Sequence, residues 1–309
     1  MLDTLLLLMV VIWGTNYSIV KAAFSEIDPQ AFNALRMILA SLVFGVILIW
    51  VRLPRANEPD RAAPGRFASI FYTPVAITRQ DWIGLLGLGI VGHFFYQFFF
   101  IGGLSRTTVA NSSLMLAFTP VLIALVSAVL GYDRVTPRHW VGAALSMAGI
   151  YVVVSSRADP HAGSVGSTFA GDLMMFVAVC CWAAYTLGAR RLMTRHSPVG
   201  VTGLSMVIGT VLYVTAVSPR LLTVNWGAVS VRTGIAVIYS ALFALCVAYT
   251  IWYVAVRQIG SARTSVYSNL VPIVAMITAV MFIGESLTAT KIAGAAAVLL
   301  GVALTRVKS

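Results

Sequence analysis

The sequence predicts an all-α membrane protein of ten transmembrane helices, arranged as two inverted five-helix repeats. Three observations carry that prediction. Hydrophobic residues fill 59% of the 309 positions and charged residues only 10%, and the apolar runs approach the roughly 20 residues that cross a bilayer as a helix. The chain also echoes itself. A shift of 152 lays Ala110 on Ala262, Ser113 on Ser265, Pro120 on Pro272, Asp133 on Glu285 and Gly149 on Gly301; a shift of 169 lays Asp3 on Asp172, Trp13 on Trp182, Lys21 on Arg190 and Pro29 on Pro198. An insertion near 53–80 accounts for the difference between the two shifts. Finally, each copy holds five apolar spans, an odd number, so the second copy must cross the membrane in the opposite sense. Such inverted repeats mark secondary transporters, whose site lies near the midplane between the halves. The two units are 1–156 and 157–309.

Taken in order, the spans are expected near 3–24, 30–51, 82–103, 108–130, 138–155, 170–190, 199–217, 233–256, 262–283 and 289–306. They are continuously apolar rather than alternating, which points to helices and not to a barrel. Between the second and third, residues 53–80 carry Pro54, Pro59, Pro64 and Pro74 among arginines, the composition of a loop. Within it, 66–72 reads equally as a short amphipathic turn on the membrane surface or as irregular chain. The fifth and tenth spans contain Gly142-Ala143-Ala144 with Gly149, and Gly294-Ala295-Ala296-Ala297 with Gly301. Small residues let membrane helices approach closely, so these spans are expected to be scaffold, or else a dimer seam.

Charge sets the orientation. With a cytoplasmic N-terminus, fourteen Lys and Arg fall on inside segments and five (Arg106, Arg157, Arg220, Arg232, Lys291) outside, a positive-inside bias that puts both termini in the cytoplasm and 53–80 there too. The basic excess, 21 against 10 acidic, is therefore a feature of topology and not a nucleic-acid footprint. The start, Met1-Leu2-Asp3-Thr4, lacks the basic n-region of a signal peptide, so the first span is expected to be retained. Cys180, Cys181 and Cys246 sit inside apolar spans without metal spacing, as packing residues. No nucleophile elbow, phosphate loop or metal set stands out, so no catalytic residue, cofactor or metal is expected, and the loops are too short for a separate catalytic domain.

Several short motifs then fall in order: Trp13-Gly14-Thr15-Asn16, Leu35-Arg36, Thr119-Pro120-Val121, Cys181-Trp182-Ala183, Val271-Pro272-Ile273 and Gly284-Glu285-Ser286-Leu287-Thr288. Together they resemble the drug/metabolite transporter superfamily, in its EamA-type ten-helix branch, over essentially the full length. One departure is Tyr132-Asp133, where the family often has Gly-Glu. The resemblance implies a bacterial inner-membrane carrier, commonly an exporter, with a central cavity. Family members move amino acids, nucleotide sugars, sugar phosphates, purines and drugs.

Candidate site residues follow from position. Trp13 and Trp182 lie at equivalent depth, about eleven residues into their spans and hence near mid-bilayer, where tryptophan is unusual. They read equally as a cavity-lining aromatic pair or as helix packing. Asn16, Tyr17 and Tyr185 lie one turn away. His93, Tyr96, Gln97 and Phe100 share one face of the third span, and His93 reads as a substrate contact, with proton coupling or neutral packing as alternatives. In the eighth span Tyr239, Phe243, Cys246 and Tyr253 form a stripe, with Tyr249 and Trp252 beside it. Asn269 joins the polar residues ahead of Pro272. Pro120 and Pro272 are expected hinges. Lys21 and Arg36 sit in the outer third. The two read as an outer anion site or gate for a carboxylate or phosphate or, in preference, as structural charges in a salt bridge to Glu285, Glu26 or Asp28.

The chain is thus expected to be a transporter and not an enzyme. Its partners are a small-molecule cargo and the bilayer, and it works as a monomer or homodimer. Amino acids or similar amphipathic solutes are the expected cargo, because the cavity holds aromatics, His, Asn and Gln but no deep permanent charge. Lipophilic drugs are the alternative cargo; a membrane enzyme or flippase-like protein is the remaining class.

Overall fold

A computed structural model describes residues 2–52, 68–73, 75–129, 137–155 and 169–304. Asp133, the tip of the fourth-to-fifth connection, and most of 53–80 lie outside the described residues. The described residues form ten helical rods: α1 (Leu2–Ala23), α2 (Pro29–Arg52), α3 (running from Arg79 to Arg106), α4 (Val109–Leu116 then Thr119–Val129), α5 (Pro137–Ser155), α6 (Phe169–Leu192), α7 (Pro198–Leu222), α8 (running from Val231 to Ile259), α9 (Ser261–Ser268 then Val271–Ile283) and α10 (Ala289–Leu304). Among the described residues α1, α2, α3, α6, α7 and α8 are long and apolar enough to cross a bilayer, while α4, α5, α9 and α10 hold shorter apolar helices. Residues 68–71 of the expected surface turn are a single helical turn, Ala68–Phe71.

Local chemistry sets the ends. The Asp28 carboxylate accepts from the amides of Gln30 (2.9 Å) and Ala31 (3.1 Å) ahead of Pro29. Ser197 caps α7 in the same manner ahead of Pro198, at Gly200 N (3.1 Å). Thr78 and Asp81 form a reciprocal capping box at the start of α3, and Ser230 caps α8. Each cap supplies an acceptor to amides that a helix start otherwise leaves unpaired. Gly260 (φ 84°) turns α8 into α9, and Gly284 (φ 72°) ends α9 in the left-handed conformation that glycine adopts without a Cβ penalty.

At two prolines the carbonyl left without its helical donor is served by the hydroxyl of the residue before the proline. Pro120 has no N–H for the Leu116 carbonyl, and the Thr119 hydroxyl donates there instead (2.7 Å). At Pro219, inside α7, Ser218 serves the Thr215 carbonyl (3.0 Å) in the same way. Pro120 follows the turn at Ala117-Phe118 that divides α4, and Pro272 follows the turn at Asn269-Leu270 that divides α9.

Two rods carry a π-helical segment mid-length, Gly89–Phe95 in α3 and Ser240–Val247 in α8. Their numbers are offset by 152, to within one residue. At the end of each, the amide bonds five residues back, Tyr96 to Val91 and Ala248 to Phe243. One extra residue is therefore inserted per segment, and the facing of everything beyond it rotates.

Packing is tight where glycine allows it. A Cβ on Gly149 of α5 would stand 2.7 Å from both the Gly294 carbonyl and the Val298 amide of α10, and one on Gly294 would stand 2.9 Å from the Gly149 carbonyl. The fifth and tenth rods thus pack on each other along the small-residue faces. The outward surface carries exposed Leu42, Val46, Ile49, Ile277, Met281 and Phe282, an apolar exterior suited to lipid.

The two ends of the bundle are latched differently. At one, Asp81 meets Arg195 (3.4 Å) and His196 (3.1 Å). At the opposite end of α2, the Glu26 carboxylate accepts from Ser230 N (2.9 Å) and the Thr233 hydroxyl (2.7 Å). Bonds from Ser230 and Thr233 lower the Glu26 pKa below the ordinary 4.5. A depressed carboxylate stabilises above its unfolded value and loses that contribution as pH falls through the folded one. Hydrogen-exchange protection of residues 230–234, relative to unstructured chain, is therefore expected to fall below about pH 4.5. In Glu26→Gln it should already be reduced at pH 7; equal protection at pH 7 and pH 4 in the native chain would remove the latch.

Candidate functional site

The centre of the bundle is an aromatic cluster built from α1, α3, α6 and α8. Trp13 and Trp182 meet edge to face, with centroids 5.8 Å apart and planes at 83°, the arrangement that ring quadrupoles favour. Tyr249 lies 6.0 Å from Trp13 and 5.3 Å from Trp182, and Trp252 5.5 Å from Trp13. Tyr96 packs on Trp182 (5.1 Å) and Phe100 on Tyr17 (5.4 Å). The π segment of α8 adds a polar tie. Because Ala248 bonds back to Phe243, the Ala244 carbonyl loses its helical donor, and the Trp13 indole N–H takes it at 3.1 Å.

Against this cluster lies a cavity with about 630 Å³ of non-atom space, a figure that includes space open to the outside. Trp13, Asn16, Tyr17, Tyr96, Gln97, Trp182 and Tyr249 line it, together with Phe100, Ser113, Thr119, Ala244 and Ser268. Asn16 Oδ1 and the Tyr17 hydroxyl are buried with no hydrogen-bond partner among the described residues.

Arg36 also lines the cavity, 1% exposed. Its Nε donates to Asn33 Oδ1 (2.6 Å), Nη1 to Ser240 Oγ (2.9 Å) and Nη2 to Gln97 Oε1 (2.8 Å). Gln97 in turn donates to the Tyr249 hydroxyl (3.3 Å). This corrects two expectations at once: Arg36 is not paired with Glu285, Glu26 or Asp28, and the cavity does hold a deep permanent charge. The reason is depth. Arg36 is the eighth residue of α2, about 10 Å below its end at 1.5 Å per residue, while the three carboxylates stay at the rim. Glu26 latches to α8, Asp28 meets Arg220 (3.1 Å), and Glu285 accepts from the amides of Val109 (2.8 Å) and Ala110 (3.3 Å) at the start of α4. Lys21 donates to the carbonyls of Leu104 and Thr107 and feels the Glu285 charge.

Four candidates stand away from the cavity wall. His93 is fully buried behind it, bonded through Nε2 to the Tyr185 hydroxyl (2.9 Å), which also contacts Ser205 Oγ (3.1 Å). Tyr239 bonds Thr15 Oγ1 (2.8 Å) and stacks on Phe243 (5.2 Å). Asn269 sits in the break of α9, its Oδ1 buried without a hydrogen-bond partner among the described residues. The expected stripe on α8 does not hold as one face: Phe243 is 45% exposed, whereas Cys246, Tyr249, Trp252 and Tyr253 are buried. The inserted π residue turns the helix between them. Sequence reading passed over Asn33 and Ser240, which hold Arg36. Asn33 carried a signal, lying three residues before Arg36 on the same face; Ser240 carried none.

Four contacts among the described residues join residues whose numbers differ by one of the two sequence shifts: Trp13 with Trp182, Ser41 Oγ with Thr210 Oγ1 (2.7 Å), Gln97 with Tyr249, and Ser146 Oγ with the Val298 carbonyl (3.2 Å).

Ten apolar rods closing on a central cavity define a multi-pass membrane protein of transporter type. The chain belongs to the EamA-like transporter family, whose model matches residues 1–155 and 169–307, within the drug/metabolite transporter superfamily. It is 25% identical over 289 residues to the uncharacterized transporter YyaM of Bacillus subtilis, covering 94% of this chain and 88% of that one. A probable amino-acid metabolite efflux pump of Salmonella typhimurium is 23% identical over 309 residues, covering 96% and 92%. A solved crystal structure shares the fold with a TM-score of 0.65 at 18% identity, covering 98% and 96%.

Proposed function

We propose that the chain is a secondary transporter that exports amino acids or similar small amphipathic solutes across the bacterial cytoplasmic membrane by alternating access. In this reading residues 1–156 rock against 157–309, with both termini cytoplasmic. The observation that carries it is the central cavity, walled by aromatics from both halves and set between two latched ends. The contacts between shift-related residues support the two-unit reading, since positions that meet their own counterpart lie on a pseudo-twofold axis. The Salmonella relative's name supports the cargo class. Lipophilic cations suit the cavity less, because Arg36 would repel them.

The test is counterflow in proteoliposomes with a panel of labelled amino acids and lipophilic drugs, scored against protein-free vesicles. Amino-acid counterflow above that background is expected. Movement of drugs alone would overturn the cargo, and movement of nothing in a folded preparation would overturn the function. For orientation, both terminal tags should resist impermeant reagents added to whole cells.

A further inference from the structure

We infer that Arg36 is the docking point for a carboxylate, which makes one negative charge beside an apolar body the recognition rule of the central cavity. The inference deepens the proposed transport function and rests on it. A guanidinium has five N–H donors, and three bond the neutral oxygens of Asn33, Ser240 and Gln97. Two donors remain, one on each Nη, without an acceptor among the described residues, and no carboxylate oxygen there lies within 4.0 Å of the group. Holding a permanent cation in such a place without a counter-charge is costly. Packing could have been met by an apolar side chain of similar length, so the arrangement favours an anion that arrives from outside the protein.

One N–H remains on each terminal nitrogen, and a carboxylate brings one oxygen for each. Charge counting favours carboxylate over phosphate. Arg36 is the one cation lining the cavity among the described residues, whereas a phosphate at neutral pH carries up to two charges. The rest of the wall fits the rest of such a molecule. Trp13, Trp182 and Tyr249 offer ring faces for an apolar or aromatic body. Asn16 Oδ1, buried without a partner among the described residues, offers an acceptor to an ammonium.

The test uses purified full-length protein in nanodiscs, with melting temperature and tryptophan fluorescence as readouts. The probes are L-phenylalanine, 3-phenylpropanoate, L-phenylalaninamide, phenethylamine and phenyl phosphate. The two carboxylates should bind, with the amide and the amine at least about 10-fold weaker, as expected for loss of a charged hydrogen bond. Arg36→Gln should remove that preference, and Arg36→Lys should keep it with weaker binding.

Gln97→Glu separates recognition from a structural role. Its carboxylate, placed where Gln97 Oε1 already meets Nη2, should raise the melting temperature without ligand and abolish stabilisation by the carboxylates. Binding of amide and acid alike, or carboxylate binding unaffected by Gln97→Glu, would overturn the inference and leave the transport proposal standing. Preference for phenyl phosphate would overturn the carboxylate class. Absence of binding by every probe while labelled amino acids still exchange would likewise overturn it; absence of both would remove the transport function beneath it.

Discussion

Glu285→Ala is expected to lower the melting temperature of the solubilised protein by about 10 °C, from a loss of roughly 3–5 kcal/mol when a buried charge loses its partner. Glu285 follows Gly284, whose left-handed turn ends α9, and its side chain reaches the start of α4. There the amides of Val109 and Ala110, both fully buried, have the carboxylate as acceptor. An anion at a helix N-terminus also complements the aligned peptide dipoles. Truncation would leave two buried N–H groups unpaired and remove the negative charge that Lys21 feels. Glu285→Gln should fall between, since an amide oxygen still accepts one bond but carries no charge. A shift of less than about 2 °C for the alanine variant would show that water replaces the carboxylate freely.

Gly149→Leu is expected to lower the melting temperature by roughly 5–10 °C, because overpacking at a rigid contact costs about 1–3 kcal/mol or more. The obstacle is backbone. A side chain at Gly149 meets the Gly294 carbonyl and the Val298 amide, which yield only if α5 and α10 separate. Separation would also stretch the bond from the Ser146 hydroxyl to the Val298 carbonyl (3.2 Å). Gly45→Leu is the control: a Cβ there meets nothing within 4 Å, and its melting temperature should hold or rise, since leucine is the better helix former. Equal losses in both variants would assign the effect to helix composition and not to the α5–α10 seam.

What could be read from sequence was whatever depends on composition and short-range pattern. Continuous apolar runs gave the helices to within a few residues, and capping residues such as Asp28 and Ser197 stood just ahead of prolines. The depth of Trp13 and Trp182 placed them together, since two helices of similar length that cross the same slab bring equal depths to one level.

What could not be read depends on distant parts of the chain. The facing of α8 changes at Ser240–Val247, and a 3.6-residue period counted through a π insertion assigns Phe243 and Tyr249 to the wrong sides. His93 looked cavity-facing because it shares a stripe with Tyr96 and Gln97, yet it lies within the π segment of α3, on the side taken by Tyr185. The partners of Arg36 lie 61 and 204 positions away, at Gln97 and Ser240. Charge alone sent the search to carboxylates, whereas burial had already assembled amides and hydroxyls.

If the proposed transport cycle holds, a fixed cation such as Arg36 within the low-dielectric wall would tie it to the membrane potential. Moving one elementary charge through the full field is worth about 2.3 kcal/mol per 100 mV. In the proposed alternating-access cycle, water would follow the open face of the cavity, and the voltage drop would sweep across Arg36 even if its atoms barely travelled. An amino acid is a zwitterion and would leave the Arg36 charge uncancelled, whereas a monoanion such as 3-phenylpropanoate would cancel it; in the proposed cycle, voltage would then act on the loaded protein in the first case and mainly on the empty one in the second.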